Sequence, residues 1–205
     1  MNLLVYGAGG HGKVVATTAM ETLKYKKIYF LDPAKKTLEF ISSNKIFSLN
    51  PKDISSIKIE NLDSIIAVGD NKKRMNIASE YSEDNFVSVI SQNSYVSSFV
   101  DISKGVFIAP GALINADSSI GCHSIINTGS IIEHDCRIGS FCHIAPNAAL
   151  GGNVSTGSNV FIGGGSFVNP NISICSDVVI GSGSVVTNNV IESGVYAGVP
   201  IKKIK

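Results

Sequence analysis

The chain is nearly without net charge. Seventeen basic residues stand against sixteen acidic ones, a balance of +1. That leaves no electrostatic pull toward nucleic acid or an anionic membrane surface. Long apolar runs are also missing. No stretch reaches the roughly 18 residues a spanning helix needs, so membrane insertion is not expected. Met1 to Tyr6 runs directly into a glycine-rich turn with no basic segment before it, so no cleavable signal is expected. The four cysteines (Cys122, Cys136, Cys142, Cys175) are separated by 13, 5 and 32 residues and form no CxxC pair. This argues against a zinc or dithiol site and for reduced thiols in the cytoplasm. With 44% hydrophobic residues, the 205-residue chain has ample material for a buried core in one or two domains.

Charge is scarce regionally as well. Residues 1–89 carry 22 of the 33 charged side chains, whereas 90–190 carry seven: Asp101, Lys104, Asp117, Glu133, Asp135, Arg137 and Asp177. The second region is rich instead in Gly, Ser, Asn, Ile and Val. Two domains are expected, 1–88 and 89–205, joined near Phe86–Ser94.

What fills the second region is a repeat of six. Stepping by six from Ile90 to Val186 meets seventeen positions, of which sixteen are aliphatic and one is Thr156. A second register, four residues later, is small or β-branched and includes Val106, Ala112, Ser124, Cys136, Cys142 and Val160. A period of six fits neither a 3.6-residue helix nor hairpins with turns every 8–12 residues. It fits a coil of three short flat sides, about 18 residues per turn, with the aliphatic residue inward and the small one beside it. Gly121, Gly139, Gly157, Gly163, Gly181, Asn115, Asn127 and Asn153 are expected at corners, where φ > 0 is tolerated. Cys136 and Cys142 fall in the small inward register, which argues against an acyl-cysteine route.

The first region reads as βαβ with a parallel sheet. Leu3–Tyr6 is a strand, then Gly7-Ala8-Gly9-Gly10-His11-Gly12-Lys13, then a helix from Val14 to about Leu23. Lys27–Leu31 is a strand ending in Asp32. Ser64–Val68 is another, ending in Gly69-Asp70-Asn71, with a helix from near Lys72. Gly7-x-Gly9-x-x-Gly12 with Asp32 twenty residues on matches the dinucleotide fingerprint. Its physics suits any diphosphate: backbone N–H groups at a helix start bind the anion. A domain under 90 residues with no hydride-transfer partner argues against NAD.

One corner of the charge-poor coil breaks the pattern. Glu133-His134-Asp135 puts a histidine directly before an acid, and His143 follows nine residues later. A histidine two positions after the inward Ile132, as His134 is, points to solvent or to a neighbouring subunit. Acyl transfer to an amine needs a base, and an imidazole tuned by a carboxylate supplies one near pH 7. A glycine-rich coil has backbone N–H groups for an oxyanion. His123 reads as a surface residue, and zinc from His123, His134 and His143 lacks convincing spacing.

The glycine loop fused to this repeat resembles the sugar O-/N-acyltransferase family of hexapeptide-repeat acetyltransferases, over essentially the whole chain. That resemblance implies a small Rossmann-like domain followed by a left-handed parallel β-helix. It implies a homotrimer with sites between subunits, acetyl-CoA as co-substrate, no metal, and a nucleotide sugar as acceptor. UDP-4-amino-4,6-dideoxy-GlcNAc is the first expectation, with GDP-perosamine, or O-acetylation of sialic acid, as alternatives. Carried over, His134 is the base and Asp135 its tuner. Gly9, Gly10 and His11 line the diphosphate, Asp32 meets the nucleoside, and Gly69 with Asp70 and Asn71 closes the pocket. Asn127 lies near the acceptor amine. His143 meets the thioester region, Gly152 and Gly164 the pantetheine arm, and Lys202 the CoA phosphates. Members with two acids after the second strand read uracil, whereas here Pro33 follows Asp32.

Overall fold

The computed structural model describes residues 1–33, 46–49, 61–81 and 85–205. In the first region, β1 (Asn2–Tyr6), β2 (Lys27–Leu31), β3 (Ile46–Leu49) and β4 (Leu62–Ile66) form a parallel sheet in the order β3-β2-β1-β4. Helices α1 (Gly10–Glu21) and α2 (Asn71–Glu80) accompany it. The fourth strand lies two residues earlier than the apolar run suggests, and α1 begins inside the glycine loop rather than at Val14. Two glycines make that early start possible. Gly7 has φ +105° beside the Ala67 carbonyl. Gly12 lies so close to the Gly7 carbonyl that a side chain there would collide with it. They provide the tight turn and the close helix–strand packing of a phosphate-loop geometry.

From Val89 onward the backbone winds as a left-handed parallel β-helix of two-residue rungs, each pairing with the rung 18 residues away. The inward column, Ile108 through Val186, is buried, and so is the small register that contains Cys136 and Cys142. Thr156, the polar exception, keeps its hydroxyl satisfied: it accepts from the Gly139 N–H at 3.1 Å and meets the Cys142 sulfur at 3.5 Å.

Corner geometry differs from expectation. Every sixth residue from Gly105 to Gly183 has φ between 56° and 74°, and among the expected corner residues only Asn153 belongs to this register. Gly121, Gly139, Gly157 and Gly163 have ordinary φ. They are glycine because the next coil's backbone or side chain passes where a Cβ would stand. Twelve of the fourteen left-handed positions are Gly, Asn or Asp, the residues that tolerate it. The two exceptions are His123 and Phe141.

The outer surfaces of the three faces differ in kind. One, through Val89, Phe107 and Ile125, is buried under α1 and shares a core with Leu3, Val5, Val15 and Phe30. The second carries Asp101, Ser119, Arg137, Ser155 and Ser173 in paired register. The third carries Tyr95, Leu113, Ile131, Ala149, Phe167 and Val185, an apolar row along the coil axis. No helix among the described residues is long and apolar enough to cross a membrane, and all four cysteines are free.

Candidate active site

The expected residues fall into two groups at different corners of the coil. His134 sits where the apolar face turns into the polar one, and it is exposed. Its Nδ1 lies 2.7 Å from Asp135 Oδ2. The carboxylate can only accept, so Nδ1 carries the proton and Nε2 is left with its lone pair outward. The Asp135 hydrogen bond raises the imidazole above its ordinary value. Asp135 occupies a left-handed position (φ +63°), a conformation Asp tolerates, and this turns its carboxylate back toward the ring. One coil further, Gly152 lies under that ring: a Cβ there would stand 2.7 Å from His134 Cε1. Gly152 thus supports the histidine directly. Gly164, expected on the same arm, lies at the corner between the covered and apolar faces, so one copy does not bring it beside Gly152.

The second group lines the seam between the small domain and the covered face. His143 does not face solvent. It is buried, and its Nδ1 donates to the Gly69 carbonyl at 3.1 Å. Asn127 Oδ1 accepts from the Thr128 N–H at 2.8 Å, which turns its amide nitrogen toward His143 Nε2 at 3.0 Å. Both ring nitrogens are therefore engaged. Burial pushes the ring down to about 4, so it is neutral at working pH. His11, on the first turn of α1, packs edge-on against Phe107 with centroids 5.2 Å apart, and lies 6.4 Å from the His143 ring. Burial holds it at about 3, and its Nε2 is enclosed without a hydrogen-bond partner. His123, expected at the surface, is 2% exposed and stacks on Phe141. The small domain covers that corner, which sequence position alone does not reveal.

The glycine loop is open where a ligand would meet it. A Cβ on Gly9 or Gly10 would touch nothing within 4 Å, and α1 starts at Gly10 with no side-chain cap. Its first N–H groups are the donors such a loop presents to an anion. Asp32 Oδ2 accepts from the Ala8 N–H at 2.8 Å, so the carboxylate also braces the loop. It borders a slot of about 160 Å³ with Tyr6, Leu31, Pro33, Glu80 and Tyr81. Asp70 caps α2, accepting from the Lys73 N–H at 2.8 Å. Asn71 reaches the Val160 carbonyl at 3.3 Å, tying that helix start to the coil. Lys202 is exposed on the terminal strand Ile201–Lys203. One residue absent from the expected site is Arg74, buried at the seam; a lone arginine on a helix gave no signal in the sequence.

Comparisons agree with this architecture. Residues 2–81 match the PglD N-terminal domain, and residues 117–152 match the bacterial transferase hexapeptide (six repeats). The acetyltransferase domain of PglB from Neisseria gonorrhoeae, in complex with acetyl coenzyme A, is 31% identical with a TM-score of 0.91, over 99% of this chain and 98% of that one. The chain belongs to the sugar O-/N-acyltransferase family of hexapeptide-repeat acetyltransferases. PerB from Caulobacter crescentus, in complex with CoA and GDP-perosamine, is 31% identical with a TM-score of 0.89, over 100% of this chain and 98% of that one. WeeI from Acinetobacter baumannii is 25% identical with a TM-score of 0.89, each chain covered in full. No curated protein sequence matches. The chain is a sugar N-acetyltransferase by family.

Proposed function

We propose that this acetyltransferase transfers the acetyl group of acetyl-CoA to the amine of a nucleotide-linked 4-amino sugar, in a site completed by a second copy of the chain. The observation that carries this reading is the His134–Asp135 pair. It is an imidazole with Nδ1 committed to a carboxylate and Nε2 free, on an exposed corner of an almost uncharged coil. The neutral amine attacks the thioester carbonyl, Nε2 of His134 takes the amine proton as the C–N bond forms, and the C–S bond breaks. The proton then passes to the departing thiolate. Domain 1–88 holds the acceptor and domain 89–205 holds acetyl-CoA. The diphosphate sits on Gly9, Gly10 and the start of α1, with His11 beside it. Asp32 and its slot take the nucleoside, and Gly69, Asp70 and Asn127 flank the sugar. His143 borders the thioester from the seam, Gly152 and Gly164 lie along the pantetheine arm contributed by neighbouring copies, and Lys202 lies near the CoA phosphates.

The same surfaces support a homotrimer. The covered face is taken by the small domain and the polar face suits water, while the apolar row from Tyr95 to Val185 needs a partner. His134 borders that row. A copy packed against it sets His134 opposite the neighbour's seam, joining the two half-sites that one chain keeps apart. UDP-4-amino-4,6-dideoxy-GlcNAc is the first acceptor proposed, for surface or glycoprotein glycan synthesis in the cytoplasm. GDP-perosamine is close behind, because Pro33 stands where a second acid would read uracil. The test is thiol release from acetyl-CoA with UDP-, GDP- and dTDP-linked amino sugars and free and CMP-linked sialic acid. Turnover with a nucleotide amino sugar supports the reading; turnover only with a sialic acid hydroxyl overturns it.

A further inference from the structure

The two left-handed corners that are neither Gly, Asn nor Asp, His123 and Phe141, meet the same side chain. Arg74, 1% exposed on α2, donates from Nε to the His123 carbonyl at 2.7 Å and from one terminal nitrogen to the carbonyls of Phe141 at 3.0 Å and Cys142 at 3.2 Å. The same nitrogen meets Asn71 Oδ1 at 2.7 Å. The other terminal nitrogen donates to the carbonyls of Val68 at 2.8 Å and Gly69 at 3.3 Å. Among the described residues no carboxylate forms an ion pair with it. A guanidinium buried among carbonyls alone is costly, and a bulky residue at positive φ costs more; both persist only where the surroundings over-determine them.

The carbonyls it gathers come from both sides of the seam. Val68 and Gly69 belong to the loop before α2, while His123, Phe141 and Cys142 belong to two successive coils. Gly69 is the residue whose carbonyl accepts from His143 Nδ1, and Cys142 is the residue before His143. Arg74 therefore holds both ends of the Gly69–His143 hydrogen bond. We infer that Arg74 is a positioning residue for acyl transfer: by clamping the Gly69 loop to the coil it keeps the proton of His143 on Nδ1, keeps Nε2 turned to Asn127, and fixes the acceptor-holding domain at one height on the coil. This rests on the proposed reaction for its kinetic consequence but not for its geometry.

The experiment uses full-length protein. In the wild type, ¹⁵N NMR of the histidine side chains should show His143 protonated on Nδ1; protonation on Nε2 overturns the inference with no variant needed. Arg74→Lys keeps the cation but cannot span six acceptors, and Asn71→Ser, a milder change, removes one of them. In folded protein, Arg74→Lys should move the His143 proton away from Nδ1. It should lower kcat for the nucleotide sugar by about 10²-fold, the cost of a reactant misplaced by an ångström, while acetyl-CoA affinity by titration stays within about twofold. Asn71→Ser should do the same more weakly. A purely structural arginine lowers Tm yet leaves the tautomer and kcat of the folded protein alone, and that result overturns the inference, as does lost turnover with an unchanged tautomer. If the wild type acetylates no nucleotide amino sugar, the proposed reaction fails, and the NMR arm still decides what Arg74 does.

Discussion

His134 and His143 lie nine residues apart on the same coil and meet opposite surroundings. At the exposed corner a carboxylate bonds one imidazole nitrogen and raises its affinity for protons. At the seam, burial lowers that of the other, and Arg74 lowers it further. Only the first has a ring nitrogen without a partner among the described residues. The second has both nitrogens occupied and is held neutral and oriented. Two titratable groups pushed apart in this way point to a division of labour.

The largest effect should come from removing the base. His134→Ala should lower kcat by about 10²–10⁴-fold while acetyl-CoA still binds, as turnover and titration calorimetry on the same preparation would show. Wild-type kcat in that variant would place the base elsewhere. Gly152→Ala comes next. The added methyl meets the His134 ring at 2.7 Å and displaces it. Because the ring projects from an exposed corner and can swing away, the coil should fold with nearly unchanged Tm while kcat falls by up to about 10²-fold. A normal kcat with a methyl in place would show that the ring position is not critical.

How much of this was legible beforehand depends on what a single chain position encodes. The inward column was plain, because burial demands an aliphatic residue every six positions; even Thr156 kept its place by bonding Gly139 and Cys142. The corners were misread because two constraints both select glycine. Gly121 and Gly139 avoid the neighbouring coil, whereas Gly105 and Gly129 provide φ > 0. A count of glycines cannot separate them, although the six-residue period of Gly, Asn and Asp from Gly105 to Gly183, interrupted at His123 and Phe141, was there to be found. His134 stood out through its acidic neighbour. His123 and Arg74 did not, and the burial of His143 was not legible, because their surroundings are made by the small domain folding back on the covered face, a contact between residues some 50 to 75 positions apart. The proposed pairing of half-sites across copies likewise leaves no mark along one chain, apart from the apolar row.

The smallest change sharpens the contrast most. Asp135→Asn keeps a residue that tolerates φ +63° and nearly the same shape, but replaces the charged hydrogen-bond acceptor that raises His134 with a weaker, neutral one. A general base works only when unprotonated, so the acid limb of the kcat/KM profile follows the His134 pKa. With Asp135 present, that limb lies above the pH an unassisted imidazole would set. In the variant it should move to lower pH, so relative activity survives further into acid. The plateau at high pH should fall modestly, because the base is weaker and its tautomer is no longer held by a carboxylate. The seam is untouched, so the His143 proton should stay on Nδ1 throughout. A limb that stays put, or moves to higher pH, would mean that the titration controlling turnover belongs to a group other than His134.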